Sequence, residues 1–177
     1  MADPNLPLSD ATSALGVPVL QLAVVVEDVE SAVHDWWQHL GIGPWRVYTY
    51  GPAELTDQTY RGKPGAWTVR AALAMSGDVM MELVESVEGP DIWQEQLEVR
   101  GSSLHHFAFY VPDFEAAVAE MHSRGWRIVQ SARAYGRSHD GHLAYFEHAT
   151  IRGMFVEVVQ PPSERSDPDY VYPHPAG

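Results

Sequence analysis

The sequence predicts an α+β fold made of two βαβββ modules that follow one another along the chain. Three observations lead to this prediction. A segment near residue 21 recurs near residue 106, each copy reads as a strand, a helix and three further strands, and the composition is typical of a globular protein. The chain has 177 residues, of which 45% are hydrophobic, a size that suits two small modules sharing a core.

The internal repeat appears when residues 21–28, QLAVVVED, are aligned with residues 106–113, HFAFYVPD. The two segments lie 85 positions apart, and the alignment continues without a gap into a stretch with apolar residues at helical spacing. Asp28 and Asp113 stand at the expected N-caps, since a carboxylate accepts hydrogen bonds from the free amides of a first helical turn. A repeat of this kind predicts duplicated modules.

Three strand-like stretches follow each helix. Their predicted ranges are 45–50, 67–75 and 79–84 in the first copy, and 127–132, 142–147 and 154–160 in the second. The predicted boundaries are a flexible N-terminal arm over 1–16, a first module over 17–85, a linker with a short helix over 86–101, a second module over 102–161 and an extended C-terminal tail over 162–177. No further structured element is expected in the tail, because five prolines follow from Pro161 onwards.

Four polar residues interrupt the apolar strands at matching places in the two copies. Gln21 and His106 lie in the opening strands, and Glu82 and Glu157 lie in the closing strands. A carboxylate buried alone costs several kcal/mol, so such residues need a partner or a metal ion. Taken singly, a strand Glu more often faces solvent and a lone Gln or His is more often structural. The duplication of all four predicts a site for a divalent metal ion, namely Co, Ni, Mn, Zn or Mg.

Five segments carry a family resemblance: QLAVVVEDVESAV, LGIGPW, VMMELVES, LHHFAFYVPDFEAAV and GMFVEVVQPP. From about Val17 to Pro161 the chain resembles the vicinal oxygen chelate superfamily, which includes glyoxalase I, methylmalonyl-CoA epimerase, extradiol dioxygenases and bleomycin-resistance proteins. The resemblance implies that the two modules curl into a glyoxalase-type half-barrel around a metal cleft. It places the metal ligands on the first and last strands of each module, which here are Gln21, Glu82, His106 and Glu157.

The identity of these four residues bears on the branch of the family. The order Gln, Glu, His, Glu resembles the set of eukaryotic-type glyoxalase I. Extradiol dioxygenases use two histidines and one carboxylate, so Gln21 makes that chemistry less expected. Methylmalonyl-CoA epimerases usually have His at the first position, and the chain departs from them there, although HHFAFYV resembles that branch. Bleomycin-resistance proteins lack the metal set that is retained here.

The resemblance implies a metal-dependent enzyme that transfers a proton next to a carbonyl group, as an epimerase, isomerase or lyase. We expect Glu157 to act as the base and Glu82 as a second acid or base. Two alternatives stay open. One is a non-catalytic protein that binds or sequesters a small molecule in the same cleft, and the other is an iron-dependent ring-cleaving dioxygenase.

Further substrate contacts are predicted on weaker grounds. The candidate residues are Trp45, Arg61, Lys63, Arg137, His139 and His142. Trp45 ends a Gly-Pro turn that could shape a pocket for an aromatic or acyl group, and the loop 136–142 carries two of the histidines. Core packing of the tryptophan and a solvated loop are the plainer interpretations. His105 is expected to have a structural or interface role, since adjacent strand residues face opposite ways.

Composition excludes several classes of partner. The formal net charge is −13, so binding to nucleic acid or to an anionic membrane surface is not expected. Because cysteine is absent, disulfides, thiolate nucleophiles and Cys-bound zinc are excluded. We expect a cytoplasmic protein, since no signal peptide is recognisable. The expected partner is a small carbonyl or acyl substrate. The resemblance adds the expectation of a homodimer.

Overall fold

The computed structural model describes residues 13–174. Its three helices are α1 (Val29–Leu40), α2 (Ile92–Arg100) and α3 (Phe114–Ser123). Its eleven strands are β1 (Val19–Val25), β2 (Trp45–Tyr50), β3 (Thr56–Tyr60), β4 (Lys63–Pro64), β5 (Thr68–Ser76), β6 (Val79–Glu88), β7 (Ser103–Tyr110), β8 (Arg127–Tyr135), β9 (Gly141–Glu147), β10 (Phe155–Gln160) and β11 (Tyr170–Tyr172). Most of the predicted arm, residues 1–12, lies outside the described residues, whereas residues 13–16 form a turn.

The predicted α+β class and the two modules are confirmed. The first module consists of β1, α1, β2, β5 and β6, and the second consists of β7, α3, β8, β9 and β10. Asp28 accepts a hydrogen bond from the backbone amide of Ser31 at 2.6 Å, and Asp113 accepts one from that of Ala116 at 3.0 Å. Each such N-cap stabilises its helix by about 1 kcal/mol and sets where the helix begins.

All strands belong to one curled sheet with the order β11-β2-β5-β6-β1-β7-β10-β9-β8-β3-β4. The modules meet where β1 pairs antiparallel with β7. On one side of that junction β1 pairs in parallel with β6, and on the other side β7 pairs in parallel with β10. The first and last strands of both modules therefore form four adjacent strands at the centre of the sheet.

Three buried apolar clusters hold the fold together. One packs α1 against the first module and includes Val33 and Trp45, and a second packs α3 against the second module and includes Phe146. The third lies inside the curl and joins both modules with α2 through Trp67 and Trp93. The inner cluster supports the walls of the cleft described below.

Two elements were not predicted from the sequence. The β3–β4 hairpin follows β2 directly, yet β3 pairs with β8 of the second module, with Tyr60 opposite Gln130. Strand β11, in the tail, pairs antiparallel with β2, with Tyr170 opposite Val47. Residues 51–55 thus carry the chain from one end of the sheet to the other, and one chain supplies both walls of the cleft. Within residues 13–174, no helix has the length and apolarity needed to cross a bilayer.

Candidate metal centre

The four polar residues singled out by the repeat converge in the structure. Gln21 lies on β1, Glu82 on β6, His106 on β7 and Glu157 on β10, which are the four central strands. All four side chains are buried, with between 1% and 8% of each residue exposed. We refer to these residues as the quartet.

Two alanines make room for the quartet. Ala23 stands in register with Glu82 on one side and with His106 on the other. In the next row of the sheet, Ala108 stands in the same way between the other two members of the quartet. Both alanines are completely buried. Because a methyl group is short, the longer polar side chains on either side can lean over it and approach one another.

The polar atoms of the quartet lie within direct contact of each other. The Nε2 atom of His106 is 3.1 Å from Oε2 of Glu82 and 3.2 Å from Oε2 of Glu157. The Nε2 atom of Gln21 donates to Oε2 of Glu82 at 2.9 Å and to Oε2 of Glu157 at 3.4 Å. The two carboxylates, one from each module, therefore face a single imidazole nitrogen at nearly equal distances.

The amide of Gln21 points its nitrogen toward the carboxylates. Its oxygen, Oε1, accepts a hydrogen bond of 2.6 Å from the hydroxyl of Tyr110. Coordination of a metal by the amide oxygen would therefore need a rotation of the amide that exchanges these two atoms. The three remaining quartet residues already present ligand atoms within 4.8 Å of one another.

His105 supports the quartet from behind. The register between β1 and β7 shifts at this residue, because Ala23 is paired with His106 while Val24 is paired with Leu104. This bulge lets His105 and His106 both point inward, which strand alternation does not allow. The Nδ1 atoms of the two rings are 2.8 Å apart, and Nε2 of His105 lies 3.2 Å from the carbonyl oxygen of Ile92. A proton on Nδ1 of His106 can therefore be donated to His105, and Nε2 is the nitrogen that faces the carboxylates.

Burial and proximity shift the pKa values at this centre. Burial raises the pKa of Glu82, although hydrogen bonds from His106 and Gln21 favour its ionised form. Burial alone would lower the pKa of His106, but the hydrogen bonds and charges of Glu157 and Glu82 outweigh it and raise that pKa to about 9. Burial and the neighbouring His106 lower the pKa of His105, so His105 remains a neutral acceptor.

The residues present fit a divalent metal ion. Two carboxylates and one neutral imidazole carry a charge that balances a divalent cation, and buried charges of this kind need such a partner. The donor set of oxygens and one imidazole nitrogen suits Mn, Co, Ni, Zn or Mg. Glu82, His106 and Glu157 would hold the ion, with Gln21 joining them if its amide rotates.

Three members of the quartet, Gln21, Glu82 and Glu157, line a cleft whose empty volume, including open solvent, is about 620 Å³. Six aromatic residues line it: Tyr50, Trp67, Trp93, Tyr110, Tyr135 and Tyr145. Both modules contribute to the lining, and its aromatic rings with a few polar groups are typical of small-molecule sites. Sequence reasoning missed these residues, although the two-residue period of β7 places Tyr110 on the same face as His106 and could have identified it.

Two of the weaker candidates lie outside the cleft. Trp45 is completely buried in the cluster beneath α1 and packs edge-on against Trp36, with ring centroids 5.9 Å apart. His142 faces Phe114 of α3 on the outer side of the sheet, with ring centroids 5.4 Å apart. Their positions correct the prediction that they contact substrate, because each packs a helix onto the sheet.

The other four candidates are exposed and also lie outside the cleft lining. Arg61 forms salt bridges with Glu95 and, at 2.8 Å, with Glu147. Arg137 binds two carboxylates of the tail, while Lys63 lies on β4 and His139 lies in the 136–142 loop. Their charges are paired or solvated, so the structure does not bring them to the quartet.

Arg165 is a cleft residue that sequence reasoning missed. It belongs to the tail, is exposed to solvent, and also lines the cleft that contains the quartet. Burial alone would lower its pKa, but Tyr110 and Tyr135 outweigh this and raise it, so the guanidinium stays charged. No sequence signal marks it, because its place depends on how the tail folds back over the modules.

A sequence profile of the Glyoxalase/Bleomycin resistance protein/Dioxygenase superfamily matches residues 20–146. The match covers more than half of the chain and contains both modules except β10. A search of curated proteins returns no match.

Solved structures similar to this chain include methylmalonyl-CoA epimerase from Mycobacterium tuberculosis, which is 20% identical with a TM-score of 0.61, over 86% of this chain and 92% of that one. A single-residue variant of Streptomyces coelicolor methylmalonyl-CoA epimerase, in complex with 2-nitronate-propionyl-CoA, is 18% identical with a TM-score of 0.60, over 85% of this chain and 98% of that one. A variant of 4-hydroxymandelate synthase from Streptomyces coelicolor is 19% identical with a TM-score of 0.61, over 89% and 42%. At these identities the likeness concerns the fold.

Proposed function

Because the chain belongs to the Glyoxalase/Bleomycin resistance protein/Dioxygenase superfamily, we propose that it is a metal-dependent enzyme that transfers a proton next to a carbonyl group. The observation that carries this proposal is the buried group of Glu82, His106 and Glu157 at the base of an aromatic cleft. Such a group is costly to bury without a function. We propose epimerase-like chemistry first and glyoxalase-like isomerase or lyase chemistry second.

A divalent metal, when bound, polarises a carbonyl oxygen and so acidifies the adjacent C–H bond. Co, Ni, Mn, Zn and Mg are the candidates for this ion. The side chains of Glu82, His106 and Glu157 would hold it, and His105 would keep the His106 ring in the orientation that directs Nε2 at the ion.

The two carboxylates perform the proton transfer in this proposal. Glu157 accepts the proton as the C–H bond breaks and the bonding electrons move toward the carbonyl oxygen. Glu82 delivers a proton to carbon, on the other face in an epimerase or to the neighbouring carbon in an isomerase. Placement of the two groups on opposite modules supports a two-sided reaction.

The cleft walls favour this chemistry. Trp67 and Trp93 meet edge to face with ring centroids 5.1 Å apart, and Tyr145 packs edge-on against Trp93 at 5.4 Å. These three rings are buried and make the base of the cleft apolar, and charge interactions are stronger in such surroundings. The small carbonyl or acyl substrate of this proposal would be enclosed by these walls.

Solvent-exchange measurements on a fixed substrate panel test the proposal. The panel contains methylmalonyl-CoA and the hemithioacetal of methylglyoxal and glutathione, and proton NMR in D2O follows exchange and product formation. We expect purified protein to contain divalent metal and to turn over at least one of the panel. Glu157→Gln should retain the metal and lose at least about 100-fold in rate, the usual contribution of a general base.

Glu88→Gln is the matched control, because Glu88 is an exposed carboxylate near the end of β6, the strand that carries Glu82. It should keep the wild-type rate. A fully active Glu157→Gln variant would contradict the role of Glu157. Protein that stays metal-free when Co, Ni, Mn, Zn or Mg is added would support a small-molecule binding protein instead. Oxygen uptake with iron(II) and a catechol would support the dioxygenase.

A homodimer and a cytoplasmic location are part of this proposal. The cleft is already lined by both modules of one chain, so the partner subunit is not required to complete it. Sedimentation equilibrium tests the dimer, and a metal content that is the same at dilutions that dissociate it would support a site within each chain.

A further inference from the structure

The C-terminal segment 161–174, here named the strap, spans the mouth of the cleft. At one end it is held by the second module, where Arg137 donates to Glu164 at 3.0 Å and the backbone amide of Arg137 donates to the carbonyl of Glu164 at 2.9 Å. At the other end it joins the first module, where the amide of Asp169 donates to the carbonyl of Val47 at 2.8 Å and β11 begins. The strap is therefore tied to both walls of the cleft.

The strap also packs closely against the second module. Gly136 has a φ of +87°, and a Cβ atom added there would lie 2.3 Å from the Cβ of Pro162. The amide of Ser163 donates to Oδ1 of Asp140 at 2.9 Å. Together with the hydrogen bond from Asp169 to Val47, these contacts hold the backbone on either side of Arg165, the residue of the strap that lines the cleft.

Arg165 lies between the two attachments and reaches the cleft mouth. Two carboxylates, Glu164 and Asp167, are its close neighbours in sequence, but both pair with Arg137, at 3.0 Å and 2.5 Å. Among residues 13–174, Arg165 itself forms no salt bridge. Its guanidinium, which lies beside the hydroxyl of Tyr110, thus has no carboxylate partner among the described residues and can receive an outside anion.

The surroundings of Arg165 suit an oxygen anion. Of the described residues that line the cleft, Arg165 alone carries a lysine or arginine charge, and the protein has a net charge of −13. A guanidinium binds a carboxylate through two parallel hydrogen bonds. Tyr50 and Tyr135, whose rings meet edge to face at 6.2 Å, line the same cleft and add two hydroxyl groups.

We propose that Arg165 of the strap binds a carboxylate group of the substrate, so that the enzyme acts on small oxo acids or acyl compounds bearing a free carboxylate. This inference rests on the proposed function for the position of the reacting carbonyl at the quartet. It adds that the substrate carries its carboxylate at the end opposite the reacting carbonyl, toward the cleft mouth. Arg165 then selects the substrate against neutral analogues in a protein whose overall charge repels anions.

Binding of matched probes tests the proposal without turnover. The probes are straight-chain 2-, 3- and 4-oxo acids and their neutral amides, and saturation-transfer NMR and quenching of tryptophan fluorescence measure their dissociation constants on the full chain. At least one acid should bind about tenfold more tightly than its amide. Arg165→Gln should remove most of that preference, and Arg165→Lys should keep part of it. Arg152→Gln removes an exposed charge outside the cleft lining and should leave the preference unchanged.

Each outcome separates this inference from the proposed function. An Arg165-dependent preference in protein that exchanges no proton would uphold the carboxylate site and count against the proton-transfer role. Equal binding of acids and amides, or a preference that survives Arg165→Gln, would overturn the inference. Binding of adenosine 3′,5′-bisphosphate that is tighter than that of every acid in wild type and is lost in Arg165→Gln would assign the site to phosphate and overturn the carboxylate.

Discussion

The Nδ1 atom of His105 lies 2.8 Å from the Nδ1 atom of His106, although the two residues are neighbours on one strand. The β-bulge between β1 and β7 makes this contact possible. His106 thereby has a hydrogen-bond partner on the side of its ring that faces away from the carboxylates. A residue that contacts no carboxylate of the quartet thus determines how His106 presents its other nitrogen.

Loss of this contact should weaken metal binding. We expect His105→Leu to lower Co²⁺ affinity by about 10- to 100-fold, because the His106 ring loses the acceptor that fixes its orientation. Visible absorption during Co²⁺ titration measures the affinity, and thermal unfolding shows whether the variant is folded. His105→Gln offers an acceptor oxygen and should recover part of the loss. Wild-type affinity in His105→Leu would contradict a positioning role.

Metal binding should release a proton. The pKa of His106 is raised to about 9, so its ring carries a proton at pH 7 in metal-free protein, whereas a ligand needs a free Nε2 lone pair. We expect release of about one proton per Co²⁺ at pH 7, and an affinity that rises with pH and levels off above about pH 9. Calorimetry in buffers of different ionisation enthalpy counts the protons.

The same shift has a consequence for metal-free protein. Because the pKa of His106 is raised above its ordinary value of 6.5, protonation of this ring stabilises the fold. The stabilisation is complete below about pH 6.5 and is lost as the pH rises through about 9. His106→Gln should lack this loss. An unfolding free energy of the metal-free wild type that changes with pH no differently from His106→Gln would contradict the raised pKa.

The small side chain at position 23 should be necessary for the metal centre. Ala23 is completely buried between Glu82 and His106, so Ala23→Val fills the space across which these residues approach. We expect Co²⁺ affinity to fall at least tenfold, with about 1–3 kcal/mol lost from the free energy of unfolding. Val24→Leu, at the neighbouring position on the opposite face of β1, should bind Co²⁺ normally. Equal affinity in Ala23→Val and wild type would disprove the spacing argument.

Replacement of Trp45 should affect stability rather than binding. Trp45 is completely buried beneath α1, and Trp45→Ala should reduce the free energy of unfolding by about 3–5 kcal/mol. Urea titration measures this change. Metal content below the unfolding transition should stay at the wild-type level. Leu40→Ala, at a site with 63% exposure on the same helix layer, should change stability by less than about 0.5 kcal/mol.

Comparison of the sequence with the structure shows where local patterns are sufficient. The repeat identified the modules and brought out Gln21, Glu82, His106 and Glu157, because duplicated strands place equivalent residues on equivalent faces. Strand alternation alone gave the wrong orientation for His105, since a bulge depends on the partner strand. The β3 sequence, TDQTY, has little apolar alternation, and its pairing with β8 is set by the fold.

The structure of the C-terminal tail also depends on distant partners that local sequence patterns do not reveal. Tyr170–Tyr172 becomes a strand only because the edge of β2 is open to it, a partner about 120 residues earlier in the chain. Arg165 has no neighbours in sequence that mark it as a cleft residue. A prediction from proline content described the backbone as extended but could not indicate what the segment covers.

The order of the central strands bears on when the centre forms. The quartet residues that contact Gln21 are 61, 85 and 136 positions away in sequence. Loops of this size close slowly, so the first contacts of folding are formed elsewhere. Glu157 is the last of the four quartet residues in chain order. A metal ion held by these residues would therefore need the central strands to be paired before it could bind all of them.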